Sequence, residues 1–366
     1  MERREFLLKG AAITTGAAAA TTLAAPAIAQ GRVEMAIVST WPRDFPGLGV
    51  SAQRVAARIG ELTEGRINVT YFAAGEKVGA FDSLDEVAAG NSQAYIAADY
   101  YWKGKHPAWA YFTAVPFGFT YAEMDAWMKF GGGRELHEEV AGGFGIHPIQ
   151  VGNTGVQMGG WFNKEINSGD DFKGLKMRIP GLGGDVLAKL GASPVSLPGG
   201  QIYENLVSGA IDATEWVGPY NDYFLKFYEA AKYYYFPGMH EPGSQLTMGC
   251  NASWWGGLTD TDRNIITAAC MEENAMQMAE TNARNGEYLT KLINDHGVVL
   301  KEFNDETYDA MYGAAEEVFE ETRGHSELAA KVHDAFVGFR ADVGRWMLAA
   351  ESSYLRQRNR VTGVKL

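Results

Sequence analysis

The chain is poor in the residues that build metal clusters and disulfide scaffolds. Its 366 residues include only two cysteines, Cys250 and Cys270. They form no CxxC pair and no zinc spacing, which leaves one disulfide or two buried free thiols. The seven histidines include no HExxH and no i, i+4 pair, so zinc and haem enzymes are disfavoured. Basic residues are in deficit, 32 against 45 acidic ones, for a formal net charge of -13. Without a basic block, nucleic acid and anionic membrane surfaces are poor partners, although one pocket can still hold a small anion. After the first 29 residues, no apolar run reaches the ~18 residues of a membrane span.

Glycine, in contrast, is in surplus at 44 residues, which points to many turns rather than a plain helical bundle. The N-terminus has the organisation of an export signal: a charged start around Arg3-Arg4, a soft Ala/Gly/Thr-rich stretch to Ala25, then Ala27-Ile28-Ala29 as an A-x-A site. The twin arginine followed by Phe6-Leu7 and Lys9 resembles a twin-arginine (Tat) signal. Cleavage before Gln30 would release a soluble periplasmic protein.

Periodicity predicts strands over Val33–Ser39, Ile67–Phe72 and Ala94–Ala98, with helices over Ser51–Leu62 and Phe81–Ala89 between them. This is the alternation of a parallel sheet covered on both faces. A second block repeats it, with strands near Gly145–Val151, Gly159–Phe162, Lys176–Arg178, Ser193–Leu197, Ala213–Trp216 and Gln245–Asn251. From Thr259 the chain turns helical, with long runs over Thr259–Asp295, Asp305–Arg323 and Glu327–Arg358. Two α/β blocks followed by helices predict an α/β protein of two lobes with a ligand cleft between them and long C-terminal helices. The expected division is a leader at 1–29, lobe I at 30–154 plus about 246–282, lobe II at 155–245 plus about 283–310, and C-terminal helices at 311–366. An exported two-lobed protein without a catalytic motif is most simply a binding protein that closes on a solute.

Three segments carry a family resemblance. Asp171-Phe172-Lys173-Gly174-Leu175-Lys176-Met177-Arg178-Ile179-Pro180 is similar to the D-L-K-G-L-K-x-R-x-P signature of the extracytoplasmic receptors of TRAP (tripartite ATP-independent periplasmic) transporters. Gly191-Ala192-Ser193-Pro194-Val195 resembles their G-A-x-P-x, and Tyr203 to Asp212 their Y-x-A-L-x-x-G-x-I-D. The resemblance covers essentially the whole mature chain. Within the family it is closest to the branch that takes 2-oxo acids such as pyruvate together with a metal ion.

The resemblance implies that Arg178 grips the ligand carboxylate, a role suited to a planar guanidinium. Where many relatives carry an Asn this chain has Trp216, and where many carry a second Arg it has Gln157. Both departures resemble the 2-oxo acid branch and argue against dicarboxylates and sialic acids. In that branch Gln157 and Glu215 would give oxygens to the cation and Trp216 its backbone carbonyl. A monocarboxylate, Arg178, Glu215 and Na⁺ sum to zero; Ca²⁺ is the alternative and needs another acid, Asp212 or Asp222. Read without the family, Glu215 simply pairs with a nearby Lys or Arg.

Tyr100, Tyr101 and Trp41 follow strands, where α/β sheets place ligand loops; core packing is the plainer reading of such aromatics. Asn153, Thr154 and Gln245 are weaker candidates near the lobe crossings. The C-terminal helix, with Phe339 and Trp346 as aromatic anchors, is where the near branch forms homodimers. The other partners implied are the TRAP membrane permease and the small 2-oxo carboxylate. Lactate or another 2-hydroxy acid with Ca²⁺ is the near alternative. A Tat-exported oxidoreductase is the remote one, since no flavin, nicotinamide or metal fingerprint is present.

Overall fold

The computed structural model describes residues 31–366, so the expected export leader at 1–29 lies outside the described residues. Val33–Ser39 (β1), Leu48–Leu62 (α1), Ile67–Phe72 (β2), Ser83–Ala88 (α2) and Ala94–Ala97 (β3) alternate as the periodicity predicts. Helix α1 buries Val55, Ala56 and Ile59, the apolar stripe of its sequence. Two helices absent from the sequence reading follow, Tyr121–Phe130 (α3) and Gly133–Gly142 (α4). The first had a visible start signal, because Thr120 and Glu123 form a capping box. Ile146–Asn153 (β4) completes the first block.

The second block runs Gly160–Phe162 (β5), Lys176–Arg178 (β6), Gly181–Lys189 (α5), Ser193–Val195 (β7), Gly199–Val207 (α6), Ala213–Thr214 (β8), Pro219–Phe224 (α7) and Tyr233–Phe236 (β9). The chain then returns through Gln245–Asn251 (β10), Ala252–Gly257 (α8), Asp260–His296 (α9), Val299–Glu302 (β11), Asp305–Arg323 (α10), Glu327–Met347 (α11) and Ser353–Thr362 (α12).

The strands sort into two sheets. One has five strands in the order β2-β1-β3-β10-β4, the other six in the order β11-β9-β5-β8-β6-β7. Neither is wholly parallel, which corrects the expectation. Strand β10 re-enters the first sheet from the second and so lies antiparallel to both β3 and β4. Strand β5, entering in the opposite direction, lies antiparallel to β8 and β9. A strand that arrives by crossing between sheets, rather than through a covering helix, is not bound to the parallel hand of a βαβ unit.

Two extended segments cross between the sheets side by side. Residues 154–159 and 235–244 are joined by backbone bonds from Thr154 to Ser244 (3.0 Å), Gln157 to Glu241 (3.1 Å) and Gly159 to Tyr235 (2.7 Å). Gly238 sits where a Cβ would come within 2.7 Å of the Gln157 and Met158 carbonyl oxygens, so only glycine allows this approach.

Helix α9, 37 residues and about 55 Å long, is capped by Thr259 and stopped by Gly297 in the left-handed region. It packs on α1 and β4 and, further along, on α7, so it spans both layers. Helix α11 buries Val332, His333 and Phe336 against residues 107–112. The single long C-terminal helix of the sequence reading is interrupted, because residues 348–352 form a π turn before α12. Phe339 is an anchor within its own chain, edge-on to Phe119 at 5.8 Å. Trp346, Leu348, Tyr354, Val361, Val364 and Leu366 are instead exposed. Among the described residues no helix is long and apolar enough to cross a membrane. Cys250 and Cys270 are buried free thiols.

Candidate functional site

A narrow cavity of about 10 Å³, room for about one water molecule, lies between the sheets, against the crossing segments. Trp41 and Leu48 after β1, Tyr100 and Tyr101 after β3, Thr154, Gln157, Glu241 and Ser244 on the crossings, and Trp216 after β8 form its wall. The structure thus brings together Gln157, Trp216, Tyr100, Tyr101, Trp41 and Thr154 from four separate stretches of sequence. The positions share one cause: each follows a strand end or lies on a crossing, where the backbone leaves the sheet.

Arg178 ends β6 and is 1% exposed. Its Nη1 donates to the Glu215 carboxylate and, at 3.2 Å, to the Glu215 carbonyl; its Nε donates to the Leu197 carbonyl at 3.2 Å. The guanidinium carbon sits 5.0 Å from the centre of the Trp216 ring. Arg178 Nη2 is buried without a partner. Glu215 is therefore paired directly with Arg178, as the plainer sequence reading held, rather than facing it across a ligand. Burial pulls the Arg178 pKa down, but the charge of Glu215, together with Tyr101, Tyr100 and Glu241, leaves the net shift upward.

The sequence reading missed Glu241 and His240. Both are buried, and with Glu215 they place candidate ligand atoms within 4.8 Å of one another. His240 Nε2 lies 3.2 Å from Glu215 Oε2. Burial lowers the His240 pKa, yet the hydrogen bond and charge of Glu215 leave it raised overall. Glu241 Oε2 accepts from Gln157 Nε2 at 2.7 Å and from Ser244 Oγ. Gln157 Nε2 also donates to Thr154 Oγ1 at 3.0 Å. With the amide nitrogen so engaged, Gln157 Oε1 is left buried and unpaired, and so is Glu241 Oε1. Burial first, then the charge of Glu215, pushes the Glu241 carboxyl up to about 7. The signal for these residues was Phe236-Pro237-Gly238-Met239-His240-Glu241-Pro242-Gly243, an irregular Pro/Gly stretch with an acid inside it.

Asp212 and Asp222 are not the second acid. Asp212 accepts from the Lys176 backbone N–H at 3.0 Å. Asp222 accepts from Val217 N–H, Trp161 Nε1 and Tyr234 Oη, at 3.1, 2.9 and 2.7 Å. Asn153 braces the crossings, accepting from Gly155 N–H at 2.8 Å and donating to Gly243 at 3.3 Å. Gln245 donates to the Phe112 carbonyl at 3.1 Å. Tyr100 is buried and Tyr101 half-buried, and burial raises both hydroxyl pKa values, so they stay neutral donors. Orphaned buried oxygens on an amide and a carboxylate, with a second carboxylate alongside, form a donor set that fits a hard cation such as Na⁺ or Ca²⁺.

Two sheets, paired crossings and a cavity lined from both sides define a two-lobed solute-binding protein. Residues 37–324 match the family model of bacterial extracellular solute-binding protein, family 7, the DctP family, and the chain belongs to that family of TRAP solute receptors. It is 39% identical to a monocarboxylate 2-oxoacid-binding periplasmic protein of Nostoc sp., over 97% of this chain and 98% of that one. It superposes with TM-score 0.89 and 33% identity on a TRAP transporter solute-binding protein from Bordetella bronchiseptica. That structure covers 91% of this chain and 99% of its own, and is a mixed-occupancy dimer with co-purified calcium and picolinate in one site and the other apo. A TRAP solute-binding protein from Pseudoalteromonas atlantica, with bound sodium and pyruvate, superposes with TM-score 0.86 at 36% identity over 89% of this chain and 99% of that one.

Proposed function

We propose that this receptor captures a small 2-oxo monocarboxylate, pyruvate or a near homologue, together with a cation, and delivers both to a TRAP permease from the periplasm. The observation that carries the reading is a pair of unpaired buried oxygens at one cavity, Gln157 Oε1 and Glu241 Oε1, with Arg178 Nη2 also unpaired beside the Trp216 ring that forms part of its wall. Leaving such atoms bare is costly. A cation answers the two oxygens, and a carboxylate answers the guanidinium. The carboxylate is the anion that replaces Glu215 at Arg178, and the cation gives Glu215 the partner it then lacks. Trp216 would add its backbone carbonyl, while its ring limits the room beside the ligand.

A carboxylate with a donor atom next to it can chelate the cation. Pyruvate has that arrangement, and so does the picolinate of the Bordetella protein. Charge counting adds Glu241 to the earlier sum. Arg178, two ionised acids and a monocarboxylate total −2, which Ca²⁺ balances; with one proton on Glu241 the total is −1, which Na⁺ balances. Lactate, whose hydroxyl also chelates, is the competing ligand.

Export by the twin-arginine route belongs to the same proposal, as does pairing of two copies through the C-terminal helices. The pairing is supported by the exposed apolar residues from Trp346 to Leu366. The test is calorimetric titration of chelator-treated protein with pyruvate, lactate and propionate, each with NaCl, with CaCl₂ and with neither. Tight pyruvate binding that depends on one of the salts is expected, with propionate much weaker. Equal pyruvate affinity without metal sinks the cation half, and no response to any of the acids sinks the ligand half. Sedimentation should give a dimer that becomes monomeric when the chain is cut after Met347.

A further inference from the structure

The walls of the cleft also meet at its rim, away from the crossings. Phe45 touches Trp216 edge-on with ring centres 6.1 Å apart. The ring of Tyr100 lies against Gly181 at the start of α5, where a Cβ would meet it at 3.4 Å. Just outside this contact, Lys103 Nζ reaches both carboxylate oxygens of Asp185 on α5, each at 2.5 Å. Lys103 follows β3 of the first sheet, and α5 follows β6 and packs on β7 of the second. The two residues are half-buried, and among the described residues neither has another ion-pair partner.

We infer that the Lys103–Asp185 pair is a latch that sets how long the receptor holds its solute. The inference rests on the proposed binding function. A ligand in the enclosed cavity leaves only when the lobes part, and parting separates Lys103 from Asp185. Capture needs the lobes apart, so the pair acts mainly on release and slows entry only by the share of unliganded molecules that it holds closed. Its net charge is zero, so it does not steer an anion toward the cleft. The pair is partly solvated, and a contact of this kind is worth a few-fold in a rate. Lys103 and Asp185 are therefore positioning residues: they touch each other rather than the ligand.

The test is stopped-flow release of pyruvate from the calcium-loaded protein, followed by the fluorescence of Trp41 and Trp216. Lys103→Gln, Asp185→Asn and the double variant should each speed release about two- to fivefold. The double variant should be no faster than either single one, because both remove the same contact. It should bind pyruvate no more slowly than wild type, since the rim stays neutral and no unliganded molecule is held closed by the pair. Wild-type release rates in all three overturn the latch. So does additive acceleration, or a fall in the unliganded melting temperature as large as that of the liganded form.

A wild-type protein that ignores pyruvate would defeat the functional reading, not the latch, which has a ligand-free readout. Spin labels at Glu64→Cys and Glu204→Cys, both exposed, report the separation of the lobes, and the native thiols are buried. Without ligand, the double variant should shift the distances toward longer values. An unchanged distribution overturns the latch whatever the solute is.

Discussion

Glu241 on the second crossing and Asp222 under the second sheet are both buried acids without a cationic side chain bonded to them, yet their surroundings differ. Asp222 uses both oxygens, accepting from a backbone N–H, an indole and a phenol. Glu241 accepts on one oxygen only, and its neighbour Gln157 likewise keeps a bare oxygen. Burial raises both pKa values, to about 6 for Asp222 and about 7 for Glu241. A completed set of hydrogen bonds fixes a shape, and an incomplete one at a cavity marks where something else binds. Depth of burial does not separate the two acids; what separates them is which polar atoms have no partner.

The sharpest way to break that comparison is to remove the cationic end of the incomplete cluster. Arg178→Ala should cost ~2–5 kcal/mol of pyruvate binding, some thirtyfold or more, because the ligand carboxylate is left buried and unpaired. Titration calorimetry beside circular dichroism checks that affinity, not fold, is lost. An affinity close to wild type would remove Arg178 from the site.

Glu241→Gln comes next. It keeps an oxygen but removes a charge, so calcium should bind more weakly, and pyruvate with it by linkage, between about five- and 150-fold. The unliganded protein should respond in the opposite sense. A carboxyl raised above its ordinary value contributes stability below pH 4.5 that is lost as the pH climbs through about 7. At pH 8 the wild type carries that loss and the Gln variant does not. Urea unfolding in chelator should therefore show the variant at least as stable as wild type. A variant that binds calcium normally would show that the bare oxygens are not the cation site.

The fold and part of the candidate site were legible in the sequence for different reasons. Apolar alternation set most of the strands, because burial acts on each segment separately. Arg178, Gln157 and Trp216 were found because they sit in or near motifs with fixed spacing. Glu241 and His240 escaped because they lie in an irregular stretch far along the chain from Arg178, joined to it only by the folding of the second crossing against the first. The charge sum showed that Ca²⁺ would need another acid, and it offered Asp212 or Asp222 for it, not Glu241. Antiparallel β5 and β10 were missed for the same reason: their direction depends on where the chain has just come from, not on their own residues.

The smallest effect on binding, and the finest test of the contrast, belongs to Asp222→Asn. An amide can accept some of the three bonds but offers N–H where another N–H already points, so the variant should be destabilised without touching the cavity. The raised pKa of Asp222 makes that destabilisation depend on pH. Its contribution to stability is fully present below pH 3.8 and is lost as the pH rises through about 6. The excess of wild type over the variant should therefore be larger at pH 4.5 than at pH 7.5, narrowing by roughly 1–3 kcal/mol between them. Chemical unfolding of both proteins at the two pH values measures the gap, and titration at pH 7.5 should find pyruvate affinity near that of wild type. If Asp222→Asn instead weakened pyruvate and calcium as much as Glu241→Gln does, a completed hydrogen-bond set would be no guide to which buried acid serves the ligand. The distinction between the two clusters would then have to be drawn from distance to the cavity alone.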